Sequence, residues 1–280
     1  MSTNPLSKFF RQPAIYIRLP SQGQGWPAGA LDLPVNGELP VLPMTAIDEI
    51  TYRTPDALFN GESVVSVVAS CVPNIHDPWA IPTTDLDALL IAIRIASSGH
   101  NIDIDTTCPS CETESSFELD LRNIMDKLSI TDYSKTFTQG DLTFFFRPLN
   151  YREITENSLE QFEYQKTLQA LNSETVGLDE KDKVAKLNSM MRNLIFVTVK
   201  AMSQSIVEIR TPEAVVSDRT HIEEFLSQCD RILFNRVRDY VISLRENSEL
   251  KPLSITCPNC NHQYKQTFTL DMANFFDSAS

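Results

Sequence analysis

The chain has 280 residues, 42% of them hydrophobic and 22% charged, with a formal net charge of −13. That composition supports one large domain or two modest ones with a real core, and it excludes a disordered chain. The acidic balance disfavours a phosphate backbone as partner, and no apolar run approaches the ~20 residues of a membrane span. The longest candidate, residues 88–96, is interrupted by Arg94. Pro5, Lys8, Arg11 and Pro13 break up any apolar signal core, so synthesis in a cytosol is the expectation.

Residues 1–43 are rich in Pro and Gly and hold one clear strand pattern at residues 14–19. The first thirty carry Lys8, Arg11 and Arg18 and no acidic residue. Such an arm can hardly fold alone, and it is expected to lie over the body or over a partner. It either docks on an acidic neighbour or is an ordinary mobile terminus. Tyr16, Arg18 and Trp26 are its candidate partner contacts, because Tyr, Arg and Trp anchor interfaces that bury them. The competing reading packs them on their own domain.

Thr45 signals an N-cap for a helix over residues 46–52, with Asp48 and Glu49 in its first turn. Helical stretches follow at residues 55–59, running into Asn60-Gly61, and at residues 62–71. Pro73, Pro78 and Pro82 force an extended connection. Thr84 is then expected to cap a helix over residues 85–97 that stops at Gly99. Leu86, Leu89, Leu90, Ile93 and Ala96 recur at helical spacing and Ile91 and Ile95 widen the stripe, which predicts a largely buried helix. Asp85 and Asp87 at its start read as capping charge.

A knuckle, Cys108-Pro109-Ser110-Cys111, follows the β-prone residues 102–107 and precedes a polar, strand-like segment reaching Leu121. Asp103 and Asp105 share one face of that strand as exposed decoration. From residue 136 the pattern becomes a hairpin: residues 136–138, a turn at Gln139-Gly140-Asp141, and residues 142–147. Long helices are predicted over residues 151–171 and 180–202, joined by a loop around Gly177. On the second, Val184, Leu187, Met191, Leu194, Thr198 and Ala201 alternate steps of three and four, a two-helix seam. The pair either packs on its own domain or protrudes toward another subunit. A strand at residues 205–210, an N-cap at Ser217 or Thr220 and a helix over residues 222–245 lead to the β-prone residues 253–256. A second knuckle, Cys257-Pro258-Asn259-Cys260, follows.

Helix, short strand, knuckle and hairpin thus occur twice, and the copies end alike in Leu119-Asp120-Leu121 and Leu270-Asp271-Met272. This order reads as a divergent duplication with the hairpin and the paired long helices inserted between copies. The expected fold class is α+β: an α-rich body with two related helix–strand–CPxC-knuckle units forming a zinc-ribbon-like module, plus a long helical hairpin insertion. The expected segments are an extended arm over 1–43, a first helix and knuckle half over 44–125, the insertion over 126–204, and a second half over 205–280.

Two Cys three positions apart on a tight turn aim both sulfurs at one point, and two such turns supply a tetrahedral thiolate cage. Cys108, Cys111, Cys257 and Cys260 are therefore expected to hold one structural Zn2+. A closed four-thiolate set leaves no coordination position for substrate. A dithiol oxidoreductase is an alternative, but its knuckle would open an apolar helix that lowers the thiol pKa. Here both knuckles run into strand-like sequence. A zinc-ribbon adaptor binding nucleic acid or a polymerase is a further alternative, and the acids around the first knuckle argue against it. Cys71 and Cys229 read as buried small hydrophobes, and His262 as a surface turn residue rather than a ligand. His76, His100, His221 and His262 show no ligand spacing. The glycines of Ser21-Gln22-Gly23-Gln24-Gly25-Trp26 are followed by Pro27, not a helix, so they make no phosphate loop. The expectation is a protein that is not an enzyme.

Several ordered stretches resemble a known family. They are residues 14–21, residues 42–49, Pro55-Asp56-Ala57-Leu58-Phe59-Asn60-Gly61, Ser70-Cys71-Val72-Pro73, and residues 85–94 leading into the first knuckle. Together, over residues 10–125, they resemble the baseplate proteins of T4-type contractile-tailed bacteriophages, hub or hub-assembly members among them. The resemblance implies a non-enzymatic tail component or assembly factor, made in the host cytoplasm and bound to other tail and baseplate proteins, with a place in the virion baseplate. It carries over no catalytic residue.

Overall fold

The computed structural model describes residues 4–53, 60–128, 131–173, 180–248 and 250–267. Side chains on parts of the second long helix are also outside that description, as are residues 55–59, where a helix is expected, and the Gly177 loop. Mixed helices and small antiparallel sheets make the fold α+β. The chain divides into two compact units: residues 1–130 with 248–280, and residues 131–247.

The first unit opens with the arm. Strand β1 (Ile15–Ile17) pairs antiparallel with β2 (Leu39–Val41), in register Ile15↔Val41 and Ile17↔Leu39. Alternation sends Ile17, Leu39 and Val41 into the core and leaves Tyr16 outside. The arm therefore lies over its own unit. Further along, Leu31 bridges Ile75, and Asn74 Nδ2 donates to the Asp32 carbonyl at 2.9 Å.

Two polar knots hold the arm down. Arg11 donates to Asp48 at 3.2 Å, to the Pro43 carbonyl at 2.6 Å, and to the Ser70 carbonyl and hydroxyl at 2.7 Å each. The Asp48 carboxylate also accepts from the Thr45 backbone at 2.7 Å, the Thr45 hydroxyl at 2.8 Å and the Ser70 hydroxyl at 3.0 Å. Burial works against charge on Asp48, but the Thr45 backbone and hydroxyl, Ser70 and Arg11 together outweigh it and hold its pKa low. Thr45 is the N-cap of α1 (Ala46–Tyr52), as the sequence predicts, and it forms a capping box with Asp48.

The second knot corrects the sequence. Helix α3 (Thr83–Ser98) starts after Pro82, which is its N-cap, and Thr84 caps nothing: its hydroxyl is buried without a hydrogen-bond partner among the described residues. Asp85 lies in the first turn, as expected, but its carboxylate is bonded to the arm. It is fully buried and accepts from the Ser21 backbone at 2.8 Å, from the Ser21 hydroxyl, and from Trp26 Nε1 at 2.7 Å. Desolvation raises its pKa against those three donors, and no cation shares the site among the described residues. The glycine-bearing turn after β1 is thus a clasp on α3. Gly23 holds φ at +85°, where an added Cβ would also stand 3.3 Å from Leu33.

Helices α2 (Glu62–Cys71) and α3 supply most of the apolar core of this unit. Val64, Val67, Val68 and Cys71 of α2 are buried, as are Leu86, Leu89, Leu90, Ile91 and Ile93 of α3. Next come the ribbon of β3 (Asn101–Thr107) and β4 (Glu114–Asp120), then a short helix α4 (Leu121–Met125) capped by Asp120. Leu121 and Ile124 of α4 are buried, and α4 touches α3.

The second unit is built on a four-stranded antiparallel sheet in the order β5 (Phe137–Gln139), β6 (Leu142–Phe146), β7 (Ile206–Arg210), β8 (Val215–Val216). Helices α5 (Tyr151–Ser173) and α6 (Glu180–Ser205) run between β6 and β7 and lie against each other. Asn157 donates to Gln204 at 2.7 Å and Lys200 to Glu160 at 2.8 Å, so the start of one meets the end of the other. Of the predicted seam, the side chains of Val184, Leu187, Met191 and Leu194 lie outside the description; Thr198 is exposed and Ala201 half-buried, whereas Val197, Val199 and Met202 are buried.

Helices α7 (Arg219–Gln228) and α8 (Arg231–Ser248) complete the unit. The sequence predicts one helix here, capped at Ser217 or Thr220. Asp218 is the cap instead, and Asp230 restarts the helix by accepting from the Ile232 and Leu233 amides at 2.8 and 3.0 Å. Cys229, at that break, is half-buried rather than buried. Phe144, Phe146, Ile206, Ile209, Ile222, Leu226 and Val237 form the core. Residues 205–247, placed by the sequence with the second knuckle, thus belong to the unit of the β6 hairpin.

Beyond α8 the first unit resumes with the ribbon of β9 (Leu253–Thr256) and β10 (Gln263–Gln266), paired Leu253↔Gln266 to Thr256↔Gln263.

Candidate metal centre

Each knuckle caps a two-stranded ribbon, and the two turns close through the same pair of backbone hydrogen bonds. The Cys108 amide donates to the Thr113 carbonyl at 3.0 Å, and the Glu112 amide donates back to the Cys108 carbonyl at 2.9 Å. In the second copy the Cys257 amide donates to the His262 carbonyl at 2.9 Å, and the Asn261 amide to the Cys257 carbonyl at 3.0 Å. Closing the turn requires the left-handed region at the residue after the second cysteine. Glu112 sits there at φ 56° and Asn261 at φ 57°.

These matched turns bring the four sulfurs of Cys108, Cys111, Cys257 and Cys260 within 4.8 Å of one another. Cys108 Sγ lies 3.7 Å from Cys260 Sγ, and Cys111 Sγ lies 3.6 Å from Cys257 Sγ. Disulfides need about 2.0 Å, and all four cysteines are free. A tetrahedral ion with sulfur ligands at about 2.3 Å sets the sulfurs about 3.8 Å apart, so the cluster has the donor type, number and spacing for a thiolate-bound metal. Cys108 and Cys257 are buried, whereas Cys260 is exposed.

Protons are shared unevenly across the sulfurs. Cys111 is held down to about 6, first by the hydroxyl and then by the backbone of Thr113, with help from the neighbouring sulfurs. Cys260 is pushed up to about 12: its backbone bond at His262 favours the thiolate, but the Cys111, Cys257 and Cys108 sulfurs together outweigh it. A bound cation would displace the remaining protons.

The surroundings match the sequence expectation of strands rather than a redox helix. After the knuckles come β4 and β10, and neither cysteine pair opens a helix. Asp103, Asp105, Glu112, Glu114 and Glu118 are all exposed. His262 adds no ligand to the cluster; its ring stacks on Tyr264 at 6.3 Å. The Tyr264 hydroxyl meets the Thr106 hydroxyl at 2.7 Å, tying β10 to β3 near the sulfurs.

The arm residues lie outside the cysteine cluster. Tyr16 is 62% exposed, and Arg18 is exposed and paired with Glu38 at 3.1 Å. Trp26 is half-buried and spends its indole N–H on Asp85. The sequence missed two side chains at the centre, Thr113 and Asn259, whose contacts cross between knuckles and leave no local spacing signal. Among the described residues no other group of His, Cys, Asp or Glu is placed to hold a metal ion, and no helix is long and apolar enough to cross a membrane.

A protein-family model described as T4 bacteriophage base plate protein matches residues 44–277. The match takes in both knuckles and leaves out the arm, whereas the resemblance read from the sequence is carried mainly by residues 10–125. No curated protein and no solved structure matches the chain.

Proposed function

The chain belongs to the T4 bacteriophage base plate protein family, and from that premise we propose that it is a structural or assembly component of the baseplate hub. It acts by docking on other tail and baseplate proteins, without catalysis. One Zn2+ held by Cys108, Cys111, Cys257 and Cys260 serves as a staple that fixes the two ribbons. The chain is made in the host cytoplasm and takes its place in the tail. Tyr16, Arg18 and Trp26 are the contacts proposed for the arm.

The family match over residues 44–277 is the observation that carries the baseplate role. The zinc staple is supported by the four sulfurs within 4.8 Å and by a ligand set with no position left for substrate. Its role is to contribute folding free energy.

Two measurements test this. Tagged chain recovered from phage-infected cells is expected to bring down baseplate proteins; recovery of polymerase or ribosomal components alone would overturn the role. Metal analysis of the native protein is expected to give one Zn2+ per chain with the four knuckle thiols unreactive. Metal-free protein with two reducible disulfides would instead favour the dithiol reading.

A further inference from the structure

The two knuckles share a backbone but not their side chains. Asn259 stands at the third position of its knuckle, where the first has Ser110. Asn259 Nδ2 donates across to Thr113 Oγ1 at 3.0 Å and lies 3.8 Å from Cys111 Sγ. Thr113 Oγ1 is itself 3.2 Å from Cys111 Sγ. An amide nitrogen can only donate. The Thr113 oxygen therefore accepts from Asn259; it also accepts from Cys111 while that cysteine is a thiol, and once Cys111 is a thiolate, which can only accept, the hydroxyl proton turns to the sulfur. As a thiolate, that one sulfur receives a donor from its own turn and another from a turn 148 residues away in sequence. Ser110 makes no matching bond to the second knuckle among the described residues.

We infer that Thr113 and Asn259 are positioning residues of the cysteine site, a cross-knuckle strap that orients the Cys111 sulfur as a ligand and ties the second turn to the first. The inference rests on reading the four cysteines as a metal site. Hydrogen bonds to an ionised acceptor are roughly twice as strong as neutral ones, so the strap tightens once Cys111 is a metal-bound thiolate. It also acts only when both knuckles are present, which couples ligand orientation to closure of the site. Loss of an outer partner of a metal ligand weakens metal binding by about 10–100-fold.

The test uses the full chain loaded with Zn2+ or with Co2+ as a spectroscopic probe, titrated against a chelator. Thr113→Val keeps the shape of the side chain and removes the hydroxyl, and Asn259→Ala changes an exposed residue. Each is expected to weaken Zn2+ binding about 10-fold or more, to speed transfer to the chelator, and to move the thiolate-to-cobalt charge-transfer band to lower energy. Thr113→Ser is expected to restore all three, and Ser110→Ala to behave as the unaltered chain. The double variant Thr113→Val/Asn259→Ala is expected to lose little more than either alone, because the two act as one relay. Unaltered affinity, release rate and band in both Thr113→Val and Asn259→Ala would overturn the strap while leaving the staple standing. An unaltered chain that takes up neither ion would remove the metal reading itself.

Discussion

Glu112 is the costliest backbone choice in the metal centre. At φ 56° it occupies the left-handed region, which disfavours residues with a Cβ and tolerates Asn and Gly best. The second knuckle has Asn261 in the same position. Glu112→Asn is expected to raise stability in chemical denaturation by roughly 0.5–1 kcal/mol with metal content unchanged; a loss of stability would mean that the Glu112 side chain has a role of its own. Asp48 gives the second test. Its pKa is held below the ordinary carboxylate value in the folded chain. The stability this contributes is present above the unfolded value near 4 and is lost as pH falls through the folded value. Asp48→Asn is therefore expected to be less stable than the unaltered chain at neutral pH, with the gap closing on acidification below about pH 4. A gap that stays constant down to pH 2 would show that the charge on Asp48 does not matter.

The ribbons explain why neither knuckle could work alone. A two-stranded ribbon is marginal at best in water, and β9–β10 has only four residue pairs. What it lacks in ladder length is supplied by the cysteine cluster and by the Thr106–Tyr264 bond. Because Cys108 and Cys257 lie in one cluster, the proposed shared site leads to the expectation that Cys108→Ser and Cys257→Ser lower the melting temperature by similar amounts and abolish metal uptake. The loss should be on the order of several kcal/mol, part of the roughly 10–16 kcal/mol with which small zinc domains bind their ion. A Cys108→Ser variant with an unchanged melting curve and full metal content would rule out a shared site. The break between α7 and α8 shows the opposite balance. There a single side chain, Asp230, outbids a continuous helical pattern by offering the next turn an acceptor for two amides.

The first unit is discontinuous: the chain leaves it at residue 130 and returns at residue 248. The sulfur pairs span 152 and 146 residues. Closing a loop of that length costs conformational entropy that grows with the logarithm of its size, so the proposed metal staple across it would constrain the unfolded chain strongly. The core of the second unit, with Phe144, Ile209 and Val237 buried, contains none of the four cysteines. With the proposed staple in place, chelation is thus expected to increase amide exchange across β3, β4, β9 and β10, while peptides around Phe144 and Val237 keep their protection. Equal loss of protection in both units would show that they unfold as one.

The cysteine spacing alone pointed to the four residues that the fold brings together, because a Cys-Pro-x-Cys turn has few ways to close and both copies follow a strand. Helical periodicity likewise marked α3, since an apolar stripe has nowhere to go but inward. Asp85 and Thr113 could not be read in this way. Asp85 looks like an ordinary charge at a helix start until Ser21 and Trp26 are folded over it, and Thr113 like any strand residue until Asn259 arrives from far along the chain. The grouping of α7 and α8 with the β6 hairpin belongs to the same class, because it depends on which apolar faces meet. Local sequence carries backbone preference and patterning; partners distant in sequence are chosen only when burial and hydrogen bonding are satisfied together.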